Sequence, residues 1–175
     1  PIAKLINDNY SIESGVVTTV HSATATQNVV DSTSSNNIRI SRGILNNIIP
    51  STTGAAKAVG KVVPELDNIL TGMAYRVPTS NVSVVDFSVN LKKSTSINEI
   101  SRVILNASRD KYKGVIGYCD EELVSTDFNG DTRTSIFDKN ASMQVTPRFF
   151  KLVCWYDNET GYSHKLIEMA RHMFK

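Results

Sequence analysis

The sequence has 175 residues, 41% of them hydrophobic and 21% charged, with a formal net charge of +2. These values are typical of one globular domain with a real core, and so small a charge gives no reason to expect nucleic-acid or membrane partners. No apolar run has the length of a transmembrane helix. With only two cysteines there is no disulfide framework, which favours a reducing, cytoplasmic setting.

The first ten residues show helical spacing of apolar side chains, and we predict that this helix closes in a turn near Ser14 and Gly15. The pattern is already under way at Pro1, and no capping residue precedes it. We therefore expect the chain to be cut from a larger protein or matured by cleavage.

A β-branched run over residues 16–21 predicts a strand that ends at His21. Histidine titrates near neutral pH, so His21 is a candidate proton donor or acceptor, and a purely structural hydrogen-bonding role is the alternative. The hydroxyl of Thr24 follows closely. Residues 24–42 are rich in Ser, Thr and Asn and predict a long loop, with its most polar part at 31–37, of the kind that is usually functional or part of an interface.

Thr52 or Thr53 is predicted to cap a helix over residues 55–63 that stops at Pro64. Gly54 keeps the start of this helix small, so its backbone N–H groups are open to an anion. An ordinary capped helix is the alternative interpretation.

Two strands are predicted over residues 70–77 and 82–91. The second alternates apolar and polar side chains, which indicates a sheet with one dry and one wet face and antiparallel pairing. Arg76 lies at the end of the first strand. Its planar guanidinium suits a phosphate, and a surface salt bridge is the alternative.

Ser96 and Glu99 form a capping box that opens an amphipathic helix. Short strands are predicted over residues 115–118, 123–128 and 134–137, with a turn at Asn129 and Gly130, and a strongly apolar strand over 149–156. The C-terminal helix carries an apolar stripe that includes Tyr162, Leu166, Met169 and Met173. We interpret it as core packing, and docking on another domain or partner is the alternative.

Neither cysteine is predicted to be a nucleophile. Cys154 lies in an apolar strand, and Cys119 precedes three acidic residues whose charge raises a thiol pKa. The sequence contains no repeat, no metal-ligand spacing and no glycine-rich dinucleotide loop.

Several long motifs, in matching order and spacing, resemble the C-terminal catalytic domain of the phosphorylating glyceraldehyde-3-phosphate dehydrogenase family. The resemblance covers essentially the whole chain. Its most specific stretches are residues 18–21 (TTVH), 47–61 (NIIPSTTGAAKAVGK), 76–86 (RVPTSNVSVVD) and 155–163 (WYDNETGYS).

The resemblance implies a role for each candidate at the substrate. His21 matches the histidine that activates the catalytic cysteine and shuttles the proton. Thr24 and Arg76 match the pair that holds the substrate phosphate. Thr53 and Gly54 match the site of the attacking inorganic phosphate.

The resemblance also implies NAD as cofactor. Asn158 matches the residue that fixes the nicotinamide amide, and Tyr162 matches an aromatic of that pocket. The loop over residues 24–42 matches one that lines a neighbouring subunit's cofactor site in a homotetramer. The terminal helix matches one that packs against the family's NAD-binding domain.

The chain departs from the family pattern in three respects. The family's nucleophilic cysteine lies a few residues before the position of Pro1, and the NAD-binding Rossmann domain is not part of this chain. In the loop, many relatives carry a Gly-Pro and a Trp or acidic-aromatic segment. This chain has Ser32-Thr33 and Asn36-Asn37-Ile38 instead.

We therefore expect an α+β fold, a largely antiparallel mixed sheet with helices covering one face and a long loop near the active site. Residues 1–175 are interpreted as the catalytic-domain portion of an NAD-dependent enzyme of glycolysis that converts glyceraldehyde 3-phosphate and inorganic phosphate into an acyl phosphate. This chain alone is expected to be inactive. The alternatives are a truncated pseudoenzyme that serves as a binding module, or erythrose 4-phosphate as the substrate.

Overall fold

The computed structural model describes residues 1–33 and 37–174. The helices are α1 (Ile2–Tyr10), α2 (Ala55–Val62), α3 (Ile97–Arg109) and α4 (Thr160–Met173), with short 3-10 helices at Pro64–Leu66 and Ser125–Phe128. The strands are β1 (Ile12–His21), β2 (Ile49–Thr52), β3 (Leu70–Arg76), β4 (Ser83–Leu91), β5 (Ile116–Cys119), β6 (Ser135–Gln144) and β7 (Phe149–Tyr156).

The seven strands form one open sheet in the order β2-β3-β1-β4-β7-β6-β5. The β1–β3 and β5–β6 pairs are parallel, and the four other neighbouring pairs are antiparallel. The predicted α+β fold with a largely antiparallel mixed sheet is confirmed. Because β1 and β3 run parallel and in register, their last residues, His21 and Arg76, lie side by side.

One face of the sheet carries the core, and α1, α2 and α3 cover it. Each of these helices contributes buried side chains to the same apolar cluster as the inward-facing strand residues. Representative members are Ile6 of α1, Ala56 of α2, Ile100 and Ile104 of α3, and Val17, Phe87, Val89, Phe150 and Leu152 of the sheet. On the opposite face, Val16 and Val20 of β1 are exposed. The expectation that helices cover one face is confirmed.

The turn expected near Ser14 and Gly15 is wrong. The helix ends at Tyr10, and β1 is already paired at Ile12, with a register shift before Ser14. Gly15 lies inside β1, at a point where the neighbouring strands leave little room for a Cβ. A Cβ at this position would lie 2.9 Å from the Leu70 side chain.

Two further expectations are also wrong. The strand predicted over 123–128 is not formed: Ser125–Phe128 is a 3-10 helix, and at its start the Asp127 carboxylate accepts a hydrogen bond of 2.8 Å from the Val124 N–H. The cap position of α2 is Gly54, neither Thr52 nor Thr53. The capping box of α3 is confirmed.

The structure adds strand residues that the sequence patterns missed. The short edge strand β2 contains Pro50, which cannot donate a ladder hydrogen bond and therefore masks a strand signal. Strand β6 continues to Gln144, well beyond the predicted 134–137, after a register shift past Asp138.

Helix α4 does not pack into the core of the described chain. Among its described residues only Gly161 is buried, so the core-packing interpretation is wrong. Its large apolar side chains, together with the following Phe174, are 54–90% exposed: Tyr162, Leu166, Ile167, Met169, Met173 and Phe174. Across residues 1–33 and 37–174, no helix has the length and apolar character needed to cross a membrane.

Candidate active site

His21 and Arg76 are in direct contact at the ends of β1 and β3. His21 Nδ1 lies 2.8 Å from the Ser22 carbonyl oxygen and 2.9 Å from Arg76 Nη1. The two contacts require opposite tautomers, because a carbonyl only accepts and a guanidinium only donates. When Nδ1 carries the proton and donates it to the Ser22 carbonyl, Nε2 keeps its lone pair and can act as a base.

The surroundings of His21 favour its neutral form. Burial is the largest cause that lowers its pKa below the usual 6.5, and the positive charge of Arg76 lowers it further, while the hydrogen bond to the Ser22 carbonyl acts in the opposite direction. A neutral imidazole at pH 7 is the state that a general base needs. Burial also lowers the pKa of Arg76, but a guanidinium remains charged.

Arg76 lies close to Thr24 and has a donor that is free among the described residues. Arg76 Nη1 lies 3.4 Å from Thr24 Oγ1 and 3.3 Å from the Ser22 carbonyl oxygen. Its buried Nε donor has no hydrogen-bond partner in the described part of the chain, and no acidic side chain described here pairs with Arg76. A buried donor left without an acceptor is costly, which fits a site for a ligand oxygen. Thr24 is the first residue of the long loop over residues 24–42, so this loop begins beside Arg76.

A cavity of about 480 Å³ joins His21 and Arg76 to the start of α2. Thr53 and Ala55 line it, and Gly54 lies between them. Apart from its chain neighbours, nothing stands within 4 Å of the position that a Cβ of Gly54 would take. The Ala55 N–H donates to Thr53 Oγ1 at 3.2 Å, so an anion at this helix start would meet the Thr53 hydroxyl as well as backbone N–H groups.

A second cavity, of about 350 Å³, lies on the other side of His21. It is lined by Asn158, Tyr162 and Tyr156 together with His21, and Tyr156 and His21 border both cavities. Their rings meet edge to face, with centroids 6.0 Å apart. Burial raises the pKa of Tyr156, so its phenol is neutral. Tyr162 is 66% exposed and forms only the rim.

Asn158 is held by two serines that the sequence patterns did not single out. Its Oδ1 accepts hydrogen bonds from Ser22 Oγ at 2.8 Å and Ser83 Oγ at 3.0 Å. Its Nδ2 donates to Glu159 Oε1 at 3.0 Å. Serine hydroxyls are common in loops and strand ends, so no pattern in the sequence distinguishes these two.

Asp157 is a second buried feature that the sequence patterns missed. Its Oδ2 accepts hydrogen bonds from Asn81 Nδ2 and the Gly130 N–H, at 2.9 and 2.8 Å. Its Oδ1 accepts from the N–H groups of Glu159 and Thr160, at 2.9 and 2.7 Å. Burial alone would raise its pKa, but the hydrogen bonds from the Gly130, Thr160 and Glu159 backbones lead the causes that lower the pKa below the usual 3.8. Asp157 thereby joins three segments around Asn158.

Replacing Asp157 with alanine is expected to lower the free energy of unfolding by about 3 kcal/mol, because buried donors lose a charged acceptor. Since the folded pKa is depressed, the stabilisation is complete above the ordinary pKa of about 3.9 and is lost as pH falls through the folded value. Urea unfolding at neutral and acidic pH measures both. Asp157→Asn, which keeps one acceptor oxygen, is the control, and an Ala variant as stable as the wild type would contradict this role.

These features agree with comparisons to known proteins. A family model described as "Glyceraldehyde 3-phosphate dehydrogenase, C-terminal domain" matches residues 1–158. The chain belongs to this family. It is 55% identical to glyceraldehyde-3-phosphate dehydrogenase of Shimwellia blattae and to glyceraldehyde-3-phosphate dehydrogenase 3 of Saccharomyces cerevisiae, and 54% identical to glyceraldehyde-3-phosphate dehydrogenase A of Escherichia coli K12. Each alignment covers 100% of this chain and 53% of the relative, so the chain spans about half the length of these curated relatives.

The two cysteines of the chain are poorly suited to act as nucleophiles. Cys154 borders the larger cavity, yet it is 3% exposed, and burial raises its pKa to about 12. Burial also raises the pKa of Cys119. Both thiols are therefore protonated at neutral pH, and a protonated thiol is a poor nucleophile.

We expect neither Cys119 nor Cys154 to react rapidly with iodoacetamide in the folded protein at pH 8, and both to react in denaturant. Peptide mass spectrometry after timed labelling measures the two rates separately. Labelling of either cysteine in the folded state at the rate of a free thiol would overturn this prediction and make that residue a candidate nucleophile.

Proposed function

We propose that residues 1–175 are the catalytic domain of a phosphorylating, NAD-dependent glyceraldehyde-3-phosphate dehydrogenase, working in a longer polypeptide with an NAD-binding domain. The observation that carries the proposal is the contact of Arg76 with both His21 and Thr24, at 2.9 and 3.4 Å, where Arg76 and His21 line one cavity with Thr53. This arrangement brings together a candidate base, a guanidinium that can bind phosphate, and the N-terminus of α2. Those are the groups that oxidation of an aldehyde phosphate to an acyl phosphate needs.

His21 is the proposed acid–base residue. A thiolate must attack the aldehyde carbon, and the raised pKa values of Cys119 and Cys154 favour a nucleophile from outside this chain. His21 Nε2 takes the thiol proton while Nδ1–H donates to the Ser22 carbonyl. Nε2 returns that proton to the oxygen of the attacked carbonyl, which gives a hemithioacetal. The same nitrogen, again neutral, then takes the hydroxyl proton as the carbon gives up its hydride, which NAD would accept.

Two anions take part in the reaction, and the site offers two places for them. Arg76 and Thr24 are proposed to hold the phosphate of the aldehyde, since a guanidinium fork pairs with phosphate oxygens. Thr53 and Gly54, at the start of α2, are proposed to hold the inorganic phosphate that attacks the thioester. Arg76, the proposed anchor of the substrate phosphate, also contacts His21. Substrate binding can therefore influence the residue that transfers the proton.

The residues around the smaller cavity fit the nicotinamide end of NAD, which would accept the hydride. The two serines occupy Asn158 Oδ1 and Glu159 takes one N–H of Nδ2, so the second N–H of Nδ2 remains for a ligand carbonyl, such as that of a carboxamide. A cavity of about 350 Å³ suits one ring and its amide rather than a dinucleotide. The remainder of the cofactor is assigned to the NAD-binding domain.

The exposed apolar side chains of α4 support a partner for this helix. We assign that partner as the NAD-binding domain of the same polypeptide, with Tyr162 at the border of the cofactor pocket. A homotetramer in the cytoplasm, with a role in glycolysis, completes the proposal. The loop over residues 24–42 is proposed to meet a neighbouring subunit, although residues 34–36 within it lie outside the described ranges.

The test is NADH production from glyceraldehyde 3-phosphate by the full polypeptide and by this chain alone. We expect activity that needs both aldehyde and inorganic phosphate in the full polypeptide, and none in the isolated chain. Erythrose 4-phosphate in place of the substrate measures the choice of aldehyde. A full polypeptide without activity would favour a binding module, and NADH formation by the isolated chain would refute the need for a second domain.

A further inference from the structure

Ser22 and Ser83 form a buried hydroxyl pair beneath the amide of Asn158. They are 0% and 1% exposed. Both hydroxyls donate to Asn158 Oδ1, and the Ser22 N–H donates to Ser83 Oγ at 3.1 Å. The two serines therefore hold each other as well as the amide oxygen.

This pair determines which way the Asn158 amide faces. The last torsion of an asparagine is broad and roughly two-fold, so the amide reverses easily unless hydrogen bonds hold it. Reversal would turn Nδ2 toward both hydroxyls, which would then have to accept from it, and the hydroxyl protons would lose Oδ1 as their acceptor. It would also place the amide oxygen against the Glu159 carboxylate, which now accepts from Nδ2 at 3.0 Å. Buried donors without partners are costly, so the observed orientation is strongly preferred.

Ser22 also connects the amide to the acid–base centre. It follows His21 directly, and its carbonyl oxygen lies 2.8 Å from His21 Nδ1 and 3.3 Å from Arg76 Nη1. One residue thus contacts the base with its backbone and Asn158 with its side chain. A shift of Asn158 and a shift of His21 are therefore coupled through a single residue.

We propose that Ser22 and Ser83 are positioning residues that fix the Asn158 amide with its NH₂ group facing the cofactor. The inference rests on the proposed function, in which Nδ2 of Asn158 donates to the carboxamide carbonyl of the nicotinamide. Neither serine touches the reacting atoms. Their hydrogen bonds keep Oδ1 and Nδ2 of Asn158 from exchanging positions.

The test uses Ser22→Ala, Ser83→Ala, the double variant and Asn158→Ala in the full polypeptide. Each single variant keeps one hydroxyl on Oδ1, and we expect KM for NAD to rise about fivefold, the effect of losing one ordinary hydrogen bond. The double variant should raise it about 20-fold and approach Asn158→Ala, because Glu159 alone then orients the amide. KM for the aldehyde should stay within about twofold, since its anchors are intact.

Ser101→Ala is the matched control. Ser101 is a buried serine of α3 whose hydroxyl donates to the Ile97 carbonyl at 2.7 Å. Its removal should leave KM for NAD unchanged. General damage to the fold would raise KM for NAD and for the aldehyde together, whereas a positioning role raises the first alone.

The outcomes separate this inference from the proposed function. If Asn158→Ala raises KM for NAD and the serine variants do not, the serines are not positioning residues, and the proposed function stands. If Asn158→Ala has no effect, the proposed cofactor role of Asn158 is wrong, and this inference falls with it. If the double variant does not fold, the single variants decide, because each is expected to raise KM for NAD while KM for the aldehyde stays within about twofold.

Discussion

Replacing Arg76 with leucine in the full polypeptide should lower kcat/KM for the phosphorylated aldehyde by about 100-fold, while kcat/KM for unphosphorylated glyceraldehyde changes by less than about threefold. The physical reason is the loss of charge-assisted hydrogen bonds, each worth about 1.5–3 kcal/mol, to the substrate phosphate. The unphosphorylated aldehyde never makes those bonds. The ratio of the two specificity constants is therefore the measured quantity.

Arg76→Lys is the matched control for charge. Lysine keeps the positive charge but lacks the planar guanidinium, so the ratio of kcat/KM for the phosphorylated aldehyde to kcat/KM for glyceraldehyde should fall about tenfold. Arg76 also touches His21 and the Ser22 carbonyl, and an equal loss of activity on both aldehydes would show that it acts by supporting those groups. That result would contradict its assignment as the phosphate anchor.

Replacing His21 with asparagine should lower kcat by about 10²–10⁴-fold and leave KM for the aldehyde nearly unchanged, which is the usual effect of removing a general base. Asparagine keeps a donor for the Ser22 carbonyl but has no group that accepts a proton near neutral pH. His172→Asn, on the exposed end of α4, is the matched control and should be fully active. A variant at His21 with more than half of the wild-type kcat would rule out its role as base.

The pH dependence of kcat/KM gives an independent check on His21, because it reports the groups of the free enzyme. A base acts when it is deprotonated, so wild-type kcat/KM should fall as pH falls through the pKa of His21. Burial and the charge of Arg76 place that pKa below 6.5, so the loss should begin on the acid side of that value. The His21→Asn variant should lack this limb of the profile, and a variant that retains it would assign the limb to another group.

The parts of the fold that depend on local patterns were predictable from the sequence. The alternation in β4 and the capping box of α3 are each written within a dozen residues, and both are confirmed. Strand β2 was missed because it is short and contains Pro50. The exposure of α4 could not be read from its apolar stripe, since a stripe indicates that a partner exists but not where the partner is.

The candidate site, like the fold, could be predicted from the sequence only in part. His21 and Arg76 were each suggested by their own chemistry, with structural alternatives left open, and the resemblance assigned them roles. That they touch depends on the parallel register of β1 and β3, which neither strand's sequence specifies. The hydrogen bonds of Ser22 and Ser83 to each other and to Asn158, and those of Asp157 to Asn81 and Gly130, join segments far apart in the chain. No local sequence pattern predicts them.

The most direct test of the proposed chemistry is rapid mixing of the full polypeptide with glyceraldehyde 3-phosphate and NAD in the absence of inorganic phosphate. If the reaction passes through a thioester that only phosphate releases efficiently, NADH should appear in a burst of about one equivalent per active site and then nearly stop. Addition of phosphate should restore continuous turnover. Continuous turnover without phosphate, or no burst, would contradict the account.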